Sequence, residues 1–141
     1  MSGIQSSLHV SVVMDNPPPP PPLSVLALNL KSVVNAKTLQ NEIAIVSGLI
    51  HPNFYLDRPA PRPAFTSHFC AMTRPSDEVW PFDLQKVMQA HPTKVDKMES
   101  ERSLLGFLLA KIGKLDPDII IGHDISGFDL DVILHRYKLF T

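Results

Sequence analysis

Six prolines in a row, Pro17 to Pro22, constrain this chain more than any other feature. Proline has no backbone N–H and a fixed φ, so neither a helix nor a sheet ladder runs through such a block. The block adopts an extended polyproline helix without internal hydrogen bonds and reads as a stiff spacer, with a ligand for an aromatic groove on a partner as the other reading. A packed domain must therefore lie to one side of it. Residues 1–16 are Ser-rich, with only weak apolar alternation through Leu8, Val10 and Val12, and are expected to be disordered or a loose strand. Residues 1–22 form a proline-rich leader on this reading, and the folded domain is expected over residues 23–141.

Downstream of the prolines the hydrophobic pattern is that of an α/β domain. Leu23 to Val34 is an apolar, β-branched run that predicts a buried strand. The polar stretch Asn35 to Asn41 predicts a turn, and Glu42 to Ile50 a second strand stopped by His51-Pro52. Pro59, Pro61 and Pro63 make the next stretch a loop, and Phe65 to Thr73 a third, shorter strand. Three strands with short connections suggest an antiparallel meander. Pro81 to Ala90 predicts a short helix with proline in its first turn. Glu99 to Lys114 predicts a longer one, whose wide apolar stripe (Leu104, Leu105, Phe107, Leu108, Leu109, Ile112) suits packing on a sheet. Asp116-Pro117 ends it. Asp118 to Gly122 has the composition of a buried parallel strand, and Phe128 to Leu139 that of a last helix. Strands and helices in this order make helices packed against a mixed sheet.

Composition excludes several classes. With 13 basic against 14 acidic residues in 141, the chain is neither a basic nucleic-acid coat nor a polybasic membrane anchor, though a local basic groove stays open. No stretch approaches the roughly 20 apolar residues that span a bilayer, so no membrane partner is expected. The first Lys or Arg is Lys31, so the positive n-region of a signal peptide is missing. A single cysteine, Cys70, forbids an intrachain disulfide and points to a reducing compartment.

The loop Gly122-His123-Asp124-Ile125-Ser126-Gly127-Phe128-Asp129 is the most informative place. Ligands in α/β sheets gather outside the carboxyl ends of strands, where Asp124 and Asp129 are expected. Two carboxylates there suit a divalent cation. Ser126-x-x-Asp129 equally matches a helix-capping pattern, and both readings stay open. Elsewhere signals are weaker. The six histidines show no zinc spacing, so zinc is not expected. His123 reads as a residue that shapes the loop, and Cys70 as a small buried hydrophobe within a strand. The scattered Lys31, Lys37, Arg58, Arg62 and Arg74 suit phosphate contacts or plain solvation.

The stretches LSVLALNLKSVVN, QNEIAIVSGLIH, SHFCAMTRPSD and ERSLLGFLLAKIGKLDPDIIIGHDISGFDLDVIL resemble the exonuclease-type domain of family B DNA polymerases, from Pro22 to Thr141. The resemblance implies a ribonuclease H-like exonuclease fold, a mixed sheet flanked by helices, incomplete on its C-terminal side. In proofreading members the first strand carries Asp-x-Glu. Those carboxylates, with an aspartate from a second motif and one from a third, bind two divalent ions that clamp the attacking and leaving oxygens of phosphodiester hydrolysis. Here Asn29 stands in the aspartate position and Lys31 in the glutamate position. Two negative ligands become a neutral amide and a cation, and an ammonium is a donor that cannot ligate a metal. The second motif, Asn-x-x-x-Phe-Asp, aligns on Asp124 to Asp129, with Asp124 in the asparagine position and Asp129 as the surviving ligand position. The third motif, Tyr-x-x-x-Asp, is expected beyond Thr141. The degenerate positions Asn29, Lys31, Asp124 and Asp129 thus leave no catalytic or metal-binding residue, and a Lys31–Asp129 ion pair is expected to fill the vacated site.

The resemblance implies a catalytically silent domain of a replicative polymerase. Its role would be architectural: supporting the polymerase domains and helping to hold a template or primer strand as replication starts. It implies Mg²⁺ for the parent polymerase and no cofactor for this chain. The implied partners are the rest of the catalytic subunit, primase, accessory subunits and a DNA or RNA–DNA primer-template, in the nucleus. The palm carboxylates are missing, so neither polymerase nor nuclease activity is expected here. Two other readings are an active 3′–5′ exonuclease drawing on Asp116, Asp118, Asp124, Asp129 and Asp131, and a free-standing interaction module. A domain ending at Thr141 would leave apolar faces uncovered, so marginal stability in solution is expected.

Overall fold

The computed structural model describes residues 15–141, and the expectation of a disordered or loosely stranded start falls largely outside them. Strand β1 (Leu23–Val34) begins at the first residue after the prolines. A turn follows, in which the Asn35 side-chain oxygen accepts from the amides of Lys37 (2.8 Å) and Thr38 (3.1 Å). The chain returns antiparallel as β2 (Asn41–Phe54), and β3 (Ser67–Thr73) completes the expected meander.

Strand β2 is longer than expected, because His51-Pro52 does not stop it. Leu23 pairs with Phe54 and Val25 with His51, so β2 carries one extra residue there. A bulge of this kind accommodates a proline that a regular ladder excludes. A second irregularity places Lys31 opposite Ile45 and Ser32 opposite Ile43, with Ala44 as the extra residue. It lets Ile43 and Ala44 both turn inward, which breaks the alternation of burial along β2.

Helix α1 (Leu84–Ala90) is shorter than its sequence pattern and buries none of its residues. The three-residue strand β4 (Asp96–Met98) has no readable pattern in the sequence; it exists because it pairs parallel to β3 at the sheet edge. Helix α2 (Glu101–Leu115) is capped by Ser100, whose hydroxyl accepts from the Ser103 amide. It ends at Asp116 in the left-handed region, φ 44°, just before Pro117. Strand β5 (Ile119–Ile121) pairs parallel to β1, giving the sheet order β4-β3-β2-β1-β5. Asp118 anchors its start: its carboxylate accepts from the Ser24 amide at 2.7 Å, and its own amide donates to the Ser24 carbonyl at 2.9 Å. A π-helical turn, Ile125–Asp129, then leads into α3 (Leu130–Phe140).

The core forms between one sheet face and two helices. Leu26, Leu28 and Leu30 of β1 and Val46 and Ile50 of β2 meet Leu104, Leu105 and Leu108 of α2 and Val132 and Ile133 of α3. Side chains alternate across a strand, so Asn29 and Lys31 lie on the other face, where both are exposed. The expectation that β5 is fully buried is not met: Ile119 is 38% and Ile121 49% exposed. Strand β5 occupies an edge of the sheet, and its isoleucines flanking Ile120 point to the uncovered side.

Candidate functional site

The topology leaves a gap beside β1. Strand β5 stops at Ile121, opposite Ala27, so Leu28 onward has no neighbour on that side. The chain turns away at Gly122, which only a glycine permits: a Cβ there would lie 2.7 Å from the Leu28 carbonyl oxygen. The loop and the π-helical turn then run along the free edge of β1. Between them opens a cleft of about 370 Å³, lined by Asn29, Lys31, Ser32, His123, Asp124, Phe128 and Asp129 among others. All four positions singled out in the sequence, Asn29, Lys31, Asp124 and Asp129, meet here.

Each side chain has a local reason for its place. Asp124 adopts the left-handed conformation, φ 52°, which aspartate tolerates better than most residues. Its carbonyl accepts from the amides of Phe128 (3.0 Å) and Asp129 (3.4 Å), which closes the turn. Its carboxylate lies over Gly127, where a Cβ would meet the Oδ1 atom at 2.4 Å. The capping reading of Ser126 and Asp129 is not met: neither Asp124 nor Asp129 makes a side-chain cap, and Asp129 already has helical φ and ψ. The turn closes through the Asp124 backbone instead.

Asp129 is buried, with 7% of its surface exposed. Burial, and then the neighbouring Asp124 carboxylate, push its carboxyl above the usual range, while His123 pulls it back. The expected ion pair with Lys31 is absent: among the described residues no contact within 4.0 Å joins them. The Lys31 side chain stands on the exposed wall of the cleft, whereas Asp129 is buried.

The cleft offers two carboxylates, one imidazole, one hydroxyl, one amide and one cation, and among the described residues no three His, Cys, Asp or Glu side chains are grouped so as to hold a metal ion. The other acidic residues are dispersed. Asp116 ends α2, Asp118 anchors the opposite end of β5, and Asp131 lies in the first turn of α3, lining a different surface hollow.

The exonuclease domain of DNA polymerase family B matches residues 4–141 of this sequence. The chain belongs to that family. Its fold, a five-stranded mixed sheet flanked by helices, is the one the family resemblance implies. This exonuclease-family chain is 48% identical over 127 residues to the DNA polymerase alpha catalytic subunit of Xenopus laevis, a match covering 90% of the chain. It is 41% identical over 127 residues to the Mus musculus protein of the same name, and 46% over 128 residues to that of Drosophila melanogaster. These matches cover 9%, 8% and 9% of the relatives' own lengths, so the chain spans less than a tenth of the curated proteins it matches.

The family domain also holds a polar cluster that sequence reasoning missed. The Arg136 guanidinium forms a bidentate pair with the Glu101 carboxylate, its Nε donating to Oε1 at 2.8 Å and its second amino group to Oε2. Both side chains are nearly buried, at 8% and 10% exposure. Glu101 also accepts from the Ile43 amide at 2.8 Å, and Arg136 reaches Gln40 at 3.3 Å. The hydrogen bond that Arg136 donates to Glu101, then the Glu101 and Glu42 charges, hold the guanidinium above its ordinary pKa against the cost of burial. Glu42 accepts from Asn35 (2.9 Å) and from the Ser76 amide (2.8 Å). A signal was present in α3: Val132, Ile133, Arg136 and Phe140 share one helical stripe, so a cation at 136 falls on the apolar face.

Proposed function

We propose that this chain is the exonuclease-like domain of a replicative polymerase catalytic subunit of the alpha kind, and that it does not hydrolyse phosphodiesters. Its work is architectural: it supports the polymerase body and helps to hold a template or primer strand. The observation that carries this reading is the cleft itself. Asn29 and Lys31 occupy the β1 wall opposite Asp124 and Asp129, so a cation stands where a metal-binding site needs an anion. Two-metal hydrolysis requires convergent negative ligands on both sides of the scissile phosphate. The names and identities of the polymerase alpha relatives support the wider context. The polymerase reaction, its Mg²⁺, primase and accessory partners and a nuclear setting belong to the whole subunit on this reading.

The test uses the complete catalytic subunit carrying this domain, without nucleotides. Labelled single strands and mismatched primer–templates are incubated with Mg²⁺ or Mn²⁺. The expected result is no shortening from the 3′ end. Shortening that is abolished by Asp129→Ala would establish an active exonuclease and overturn the silent reading. Architecture has its own readout: Arg136→Met, which loosens the domain, should lower the temperature at which primer extension is lost. An unchanged inactivation temperature would refute the supporting role.

A further inference from the structure

The proline run is the strongest feature that this reading leaves unused. Pro17 to Pro22 are all exposed and lie in no helix or strand. Among the described residues none of them takes part in a backbone hydrogen bond of a turn or loop. The block is presented to solvent, and six successive prolines favour a polyproline helix of two turns, about 19 Å long. Such a helix loses little conformational entropy on docking, which is why aromatic-lined grooves read it.

Its position and its charge define the kind of partner. The run projects from the start of β1, whereas Asn29 lies seven residues along that strand, about 23 Å away. A protein docked on the prolines leaves the cleft accessible. Within residues 1–30 the only acidic or basic side chain, histidine aside, is Asp15. No Lys or Arg flanks the run to reach an acidic specificity pocket. The six residues offer three overlapping frames with prolines three apart, Pro17/Pro20, Pro18/Pro21 and Pro19/Pro22, which multiplies the ways of docking threefold. We propose that Pro17–Pro22 is a docking site for a protein module with an uncharged, aromatic-lined polyproline groove, separate from the cleft between β1 and the π-helical turn.

The experiment titrates the full chain into isotope-labelled WW and EVH1 domains, with an SH3 domain whose groove carries an acidic pocket as the contrast. Shifts of the groove aromatic signals report binding. The expected result is saturable binding to a WW or EVH1 domain, weaker binding to the SH3 domain, and at least about a tenfold loss of affinity in the triple variant Pro18→Ala, Pro19→Ala, Pro20→Ala. That variant breaks all three frames, and its substitutions lie in exposed residues outside every strand and helix. Its circular dichroism and melting should match the parent chain. Absence of binding to both WW and EVH1 domains, or binding that the triple variant retains, would return the run to a plain spacer. Preference for the SH3 domain would overturn the uncharged-groove assignment. Nuclease assays on the cleft are unaffected by either outcome, so this inference and the proposed function fail separately.

Discussion

Replacing Arg136 by methionine removes the cation from a nearly closed pair and leaves the Glu101 carboxylate between β2, α2 and α3. Methionine keeps much of the buried chain length, so the change acts mainly through charge and hydrogen bonding. Removing one partner of a buried ion pair costs about 3–5 kcal/mol, because the remaining charge keeps its desolvation penalty without compensation. One acceptor bond, from the Ile43 amide at 2.8 Å, stays with Glu101, so the loss should fall near the lower end. A domain of this size has an unfolding entropy of about 0.25 kcal/mol/K, which converts the loss into a fall in Tm of about 12–20 °C. Urea unfolding followed by far-ultraviolet circular dichroism reads the free energy directly. Adding Glu101→Gln to Arg136→Met removes the stranded charge yet keeps an oxygen for the Ile43 amide, so the double variant should recover at least half of the loss. A loss below about 1 kcal/mol for Arg136→Met, the level of an exposed pair, would refute the reasoning. So would a double variant no more stable than the single one.

Two further outcomes follow from packing and charge elsewhere. Gly48→Ala places a Cβ 2.4 Å from Phe69 Cε1 and 2.9 Å from Leu26 Cδ1, in a core where Phe69 is already held edge-on against Phe107. Overpacking of this kind costs about 1–3 kcal/mol, measurable as a lower urea midpoint with an unchanged slope. Asp129→Asn should stabilise the protein at pH 7, because the folded state raises the Asp129 pKa above its ordinary value of 3.8 and so disfavours the charged form. Between that ordinary value and the raised one the folded state binds more protons than the unfolded state. The parent chain therefore regains stability from this group as pH falls through that window, and the advantage of the asparagine variant should vanish below about pH 3.8. Melting curves across pH check this, and an advantage independent of pH would contradict it.

The elements that were legible in the sequence are those whose cause is local. Leu23 to Val34 is a strand because its β-branched and apolar run suits a pleated, buried surface, and α2 is a helix because its leucines recur at helical spacing behind a serine cap. The polar make-up of the cleft wall was legible for the same reason: Asn29 brings a neutral amide and Lys31 a cation wherever the strand places them. Tertiary structure decided what depends on neighbours. Strand β4 exists only through its pairing with β3, and β5 is half-exposed because of its place at the sheet edge. Pro52 is tolerated because a bulge takes it out of the regular ladder. The ionic partner of a buried charge was the least readable. Lys31 and Asp129 share a cleft without pairing, whereas Glu101 and Arg136, thirty-five positions apart, close on each other between α2 and α3. Residue type settles what charge a position carries, but whether that charge meets a partner or water depends on the packing of elements distant in sequence.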